Sequence, residues 1–120
     1  MKVLLVEDDP DIQLVARTSL KRAGFTVTVT SNGPSALEQV QADRPDVVLL
    51  DWMMPEMDGT EVYRRLKDDP LTADIPVIFL TARSQQSEIA RGLALGATGY
   101  IVKPFDALAL GTQVREILAR

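Results

Sequence analysis

The chain alternates short, nearly pure apolar runs with longer stretches in which apolar residues recur every three or four positions. The first kind reads as strands buried on both faces, the second as helices lying against them. Lys2 to Val6 is such a run, stopped by Glu7 and Asp8. Asp9 followed by Pro10 is an N-cap with proline at the first helical position, and Ile12, Val15, Ala16 and Leu20 then define an inward stripe that Gly24 closes. Phe25 to Thr30, "FTVTVT", alternates apolar residues with threonine, the pattern of a strand with one face less covered, and belongs at a sheet edge. A second helix follows Asn32 and Gly33, with Ala36, Leu37 and Val40 inward. Asp46 to Leu50 and Pro76 to Leu80 are further apolar runs, and Tyr100 to Val102 is a short last strand. Three helices fill the intervals, carrying Val62 and Leu66, then Ile89 and Leu93, then Leu110, Val114, Ile117 and Leu118; Gly111 weakens the last.

Five strands alternating with five helices through short connections predict an α/β fold, a parallel sheet covered on both faces. With no repeat, low-complexity segment or linker in its 120 residues, the sequence reads as one domain over 1–120. In such sheets a site lies beyond the carboxyl ends of the strands, where the strand order reverses.

Composition narrows the chemistry. The sequence has no Cys and no His, which excludes disulfides, zinc fingers, thiol nucleophiles and imidazole bases, so any metal must be hard and oxygen-bound. Thirteen basic against 17 acidic residues, with no basic run, argue against a nucleic-acid surface. The apolar run Val3 to Val6 is too short for a signal peptide or a membrane span, and the expectation is a cytoplasmic chain without a membrane partner.

The residues that close the apolar runs are polar: Glu7 and Asp8 after the first strand, Asp51 after the third, Thr81 after the fourth, Lys103 after the fifth. Neighbouring strands lie about 5 Å apart, so these side chains can converge. Carboxylates crowded there repel by several kcal/mol per pair at an effective dielectric near ~20. Lys103 offsets part of that, and a divalent cation with oxygen ligands, Mg2+ above all, would offset the rest. An ionised carboxylate beside that charge is a nucleophile able to accept a phosphoryl group, with a lysine and a threonine hydroxyl to steady the oxygens.

The motifs "LLVEDD", "LLDWMMPEMDG", "FLTA" and Lys103 before Pro104 resemble a response-regulator receiver domain of two-component signalling, of the stand-alone chemotaxis type in length. The resemblance covers essentially the whole chain. It implies a flavodoxin-like, doubly wound five-stranded parallel sheet in the order 2-1-3-4-5 with five helices. It implies Asp51 as the phosphoacceptor, and Mg2+ on Asp8, Asp51 and the Met53 backbone carbonyl, with Glu7, where the chemotaxis type has Asp, acting through water. Thr81 and Tyr100 match the switch pair and Lys103 the site lysine, while Met53 and Arg83 stand where the family tunes acyl-phosphate lifetime. The implied donor is the phosphohistidine of a sensor histidine kinase or a histidine phosphotransfer protein. The implied readers are a downstream output protein or an effector domain, acting on the surface of the fourth helix, last strand and last helix. A homodimer formed on phosphorylation is left open, and the chain is expected to be a signalling phosphoacceptor rather than an enzyme, catalysing its own phosphorylation and slow dephosphorylation. Three other readings stand beside it: a receiver-fold interaction module independent of phosphorylation, a Mg2+-dependent aspartyl-phosphate phosphohydrolase, and a flavodoxin-like nucleotide or flavin module. The second lacks the acid such enzymes carry two residues after the nucleophile, where Met53 stands, and the third meets an acidic "VEDDP" where phosphate would sit.

Overall fold

A computed structural model of the chain describes residues 1–120 apart from 55–56, 83–86, 88–89, 92–93, 95 and 104. Five strands form one sheet: β1 (Lys2–Val6), β2 (Thr26–Thr30), β3 (Val47–Asp51), β4 (Val77–Ala82) and β5 (Gly99–Lys103). All pairings are parallel and the order is β2-β1-β3-β4-β5, so the threonine-rich β2 is an edge strand as its alternation requires. Four helices are complete among the described residues: α1 (Pro10–Arg22), α2 (Gly33–Ala42), α3 (Gly59–Asp68) and α4 (Leu110–Leu118). The expected helix carrying Ile89 and Leu93 falls on positions outside the described residues, as do Pro55, Arg83 and Pro104.

Three of these helices start where a side chain replaces the missing intrahelical acceptors. Asp9 accepts from the N–H groups of Asp11 and Ile12, Asn32 from Ser35 and Asp58 from Glu61. α4 begins without a side-chain cap. α1 ends at Gly24, whose φ of 94° is the left-handed conformation that favours glycine.

Two cores flank the sheet. Alternate residues Leu4, Val6, Val48, Leu50, Val77 and Phe79 pack under α2 and α3. Their neighbours Val3, Leu5, Val47, Leu49, Ile78 and Ile101 pack under α1 and α4. Val15, expected on the inward stripe, is instead 41% exposed, because α1 turns Ala16, Ser19 and Leu20 to the sheet. Gly111 is more than a weak point in α4: it is buried, and a Cβ there would overlap Ala23 at the end of α1. No helix among the described residues is long and apolar enough to cross a membrane.

Candidate functional site

Strand alternation decides which side chains can meet. Glu7, Asp51 and Lys103 each lie two residues beyond a member of the α1/α4 core, namely Leu5, Leu49 and Ile101, and so leave the sheet on that side. Thr81 lies two beyond Phe79 of the opposite core, a side it shares with Tyr100, the register partner of Phe79. The charged residues and the hydroxyl therefore approach the carboxyl edge from opposite faces.

Lys103 joins the acids. Its Nζ donates to Glu7 Oε1 at 3.0 Å and to Asp51 Oδ1 at 3.1 Å. Asp51 Oδ1 also accepts the Met53 N–H at 3.3 Å. The second Glu7 oxygen accepts the Asp9 N–H at 3.3 Å, so the residue that caps α1 serves the site as well. Glu7 and Asp51 are buried, whereas Asp8 is exposed and its carboxylate has no partner among the described residues. One oxygen from each of the three acids lies within 4.8 Å of the others.

The electrostatics follow from burial. Desolvation, and next the Asp51 carboxylate, push the Glu7 carboxyl up to about 8 against the pull of Lys103. Burial works to lower Lys103, yet Glu7 and Asp51 together hold its ammonium above its ordinary value. Among the described residues three acids face one ammonium, which leaves the site short of positive charge, and every donor is oxygen. That set fits a hard divalent cation at Asp8 and Asp51, with Glu7 already engaged by Lys103 and Asp9.

Thr81 is fully buried and its Oγ1 has no hydrogen-bond partner among the described residues. A buried hydroxyl left unpaired costs about 1–3 kcal/mol, which a ligand oxygen at the site would relieve. The chain just after Asp51 runs beside it, since the Trp52 N–H donates to the Leu80 carbonyl at 2.9 Å. Trp52 is buried edge-on against Phe79, with ring centroids 4.7 Å apart, while Met53 is 65% exposed. Tyr100 is 40% exposed and lines a groove of about 430 Å³ with Phe105, Gln113 and Ile117. The sequence-expected residues thus fall into a joined acid–lysine cluster, a buried hydroxyl behind it and an outward tyrosine.

For three residues the sequence reading did not give the part they play at the site, including Gly59, expected only as a glycine that lets the turn after Asp58 bend tightly. Gly59 opens α3 so close to β3 that a Cβ would overlap the Asp51 carbonyl oxygen, and its N–H donates to the Trp52 carbonyl at 3.0 Å. Proximity is thus what requires glycine there. Gln13 of α1 donates through Nε2 to the Glu7 carbonyl. Val15, with Ile12, Phe105 and Lys103, lines a mainly apolar groove of about 490 Å³ beside the cluster. The first two depend on backbone from distant segments, so no local pattern signals them.

A doubly wound parallel sheet of this order, carrying acids and a lysine at its carboxyl edge, defines a flavodoxin-like class of α/β module. Residues 3–115 match the response regulator receiver domain, and the chain belongs to that family, the receiver domains of two-component systems. It is 43% identical over 118 residues to the transcriptional regulatory protein CseB of Streptomyces coelicolor, covering 98% of this chain and 49% of that protein. To the phosphate regulon transcriptional regulatory protein PhoB of Rhizobium meliloti it is 41% identical, covering 99% and 52%. The chain thus spans about half the length of these curated relatives. Among solved structures it resembles the chemotaxis response regulator CheY4 of Vibrio cholerae, with a TM-score of 0.88, 32% identity and 97% of each chain covered. It also resembles the receiver domain of a signal transduction histidine kinase from Syntrophus aciditrophicus, with a TM-score of 0.86, 35% identity and 98% and 89% covered.

Proposed function

We propose that this chain is a signalling phosphoacceptor, taking a phosphoryl group onto Asp51 from a phosphohistidine of a sensor kinase or phosphotransfer protein. The observation that carries the reading is Asp51 itself, a buried carboxylate paired with Lys103 beside an exposed Asp8 that has no side-chain partner among the described residues. In the transfer an Asp51 oxygen attacks phosphorus, the phosphorus–nitrogen bond breaks, and its electron pair returns to the donor's imidazole. The product is an acyl phosphate on Asp51. With no histidine, this chain can only be the acceptor in that exchange.

Asp8, Asp51 and the Met53 carbonyl would hold Mg2+, with Glu7 reaching it through water. Bound there, the ion neutralises charge on the phosphoryl oxygens. Lys103 is placed to shift its hydrogen bond from Asp51 to a phosphoryl oxygen, and Thr81 to give its unpaired hydroxyl to another. Movement of Thr81 then frees space on the sheet face it shares with Tyr100, and the tyrosine turns inward. An output protein or effector domain reads the change on the surface around β5 and α4. The relatives are named as transcriptional regulators and are about twice this chain's length, which supports an effector reader, and no residue here is assigned to nucleic acid. The apolar groove beside Lys103 suits the approach of the phosphodonor.

Intact mass after incubation with acetyl phosphate tests the proposal. Gain of one phosphoryl group, lost in EDTA and in Asp51→Asn, supports it. No gain, or an equal gain in Asp51→Asn, overturns it, and turnover of many phosphomonoesters without an adduct favours a phosphohydrolase.

A further inference from the structure

Every polar group of Glu7 is held from a different part of the chain. Its N–H donates to the Thr30 carbonyl at the end of β2 at 3.0 Å, and its carboxylate accepts from Lys103 and the Asp9 N–H. Its carbonyl accepts from Gln13 Nε2 of α1, which also lies 3.0 Å from Ser31 Oγ in the connection after β2. A carbonyl can only accept, so the Gln13 amide must turn its NH2 to Glu7, which settles the orientation of a group whose nitrogen and oxygen otherwise look alike.

That carbonyl belongs to the peptide unit leading into Asp8, and a peptide unit is planar and rigid. Holding its oxygen fixes the direction in which the Asp8 Cα leaves the sheet, and hence where its carboxylate can sit. Asp8 has no side-chain partner of its own among the described residues. We infer that Gln13 is a positioning residue for the cation site: through the Glu7 carbonyl it orients Asp8 so that Asp8 and Asp51 can share one divalent ion. This rests on the metal-dependent reading above and extends it to a residue outside the acid set.

Removing an outer partner of a metal ligand typically weakens affinity ten- to a hundredfold. Gln13 acts through the backbone, so the lower end of that range, about tenfold, is expected. The test is a Mg2+ titration of wild type, Gln13→Met and Gln13→Ala. It is followed by fluorescence of Trp52, the single tryptophan, and by calorimetry, with thermal unfolding in EDTA on the same samples. Met keeps the side chain's length without its donors; Ala removes the chain altogether. The expected result is a Mg2+ Kd raised about tenfold in both variants, with an unfolding midpoint in EDTA close to wild type. Ser31→Ala, which leaves the bond to Glu7, is expected to keep the wild-type Kd.

A Kd within about twofold of wild type in either folded Gln13 variant overturns the inference and leaves Gln13 a structural clamp. A loss in Ser31→Ala equal to that in Gln13→Met also overturns it, by placing the effect in the loop. A wild type with no saturable Mg2+ binding removes the metal-dependent reading itself and the inference with it, a result distinct from a defect seen only in the variants.

Discussion

Lys103 and Asp51, separated by 52 positions in the chain, meet at 3.1 Å at the carboxyl edge of the sheet. The same ammonium holds Glu7 across 96 positions. One cation thus ties β5 to the ends of β1 and β3, and the site is as much a clasp for the fold as a place for chemistry.

Lys103→Met strands two buried carboxylates. Breaking a buried pair costs about 3–5 kcal/mol when the abandoned group stays charged. Glu7 can take up a proton instead, so the expected loss in EDTA is about 1–3 kcal/mol and larger at pH 9 than at pH 6. Urea unfolding at the two pH values checks this, and an equal loss at both contradicts it.

The pH dependence of the metal-free protein follows from Glu7. Its carboxyl titrates near 8 when folded, against an ordinary value of 4.5, so the native state holds the extra proton between them. Its contribution is complete below about 4.5 and lost as pH rises through about 8. Lys103, held above its ordinary 10.5, works in a higher window: its contribution is complete below that value and lost only above it. Thermal unfolding in EDTA is expected to show stability falling from pH 6 to pH 9, and Glu7→Gln to flatten the slope. A wild-type curve that rises over this interval contradicts the assignment.

Thr81→Val removes a buried hydroxyl with no partner among the described residues, so the unphosphorylated protein is expected to keep its stability or gain up to about 1 kcal/mol. The same variant is expected to lose the change in Tyr100 accessibility on treatment with acetyl phosphate and Mg2+. Hydrogen–deuterium exchange across β5 reads that change. A loss of about 2 kcal/mol or more before phosphorylation would mean that the hydroxyl is already satisfied.

Gly59→Ala drives a methyl group into the Asp51 carbonyl oxygen, a backbone atom that cannot step aside. Overpacking of this kind costs about 1–3 kcal/mol. Because the shift falls on the backbone of Asp51, the proposed acceptor, modification by acetyl phosphate is expected to slow along with the loss of stability. Wild-type stability and rate together would contradict the close approach.

Much of this was legible along the chain. The strands announce themselves as apolar runs because both sheet faces are covered, and β2 reveals its edge position through Thr26, Thr28 and Thr30. Glu7, Asp51 and Lys103, which close three of those runs, meet because every parallel strand ends at the same edge. The strand order was not contained in the runs and came from resemblance, since pairing is decided between distant segments. Val15 was misplaced because Ser19, a polar residue, occupies the buried line of α1 that an apolar count passes over. The contact of Gln13 and the close approach that requires Gly59 were missed because each is defined by another segment's backbone: the Glu7 carbonyl for one, the Asp51 carbonyl for the other.

The most direct test is to find where the phosphoryl group goes. Wild-type protein is treated with acetyl phosphate and Mg2+, the acyl phosphate is reduced with borohydride to the corresponding alcohol, and the peptides are mapped. The account predicts one reduced position, Asp51, absent when EDTA replaces Mg2+. Reduction at Asp8 or any other carboxylate with Asp51 intact, or no reduced position at all, would contradict it.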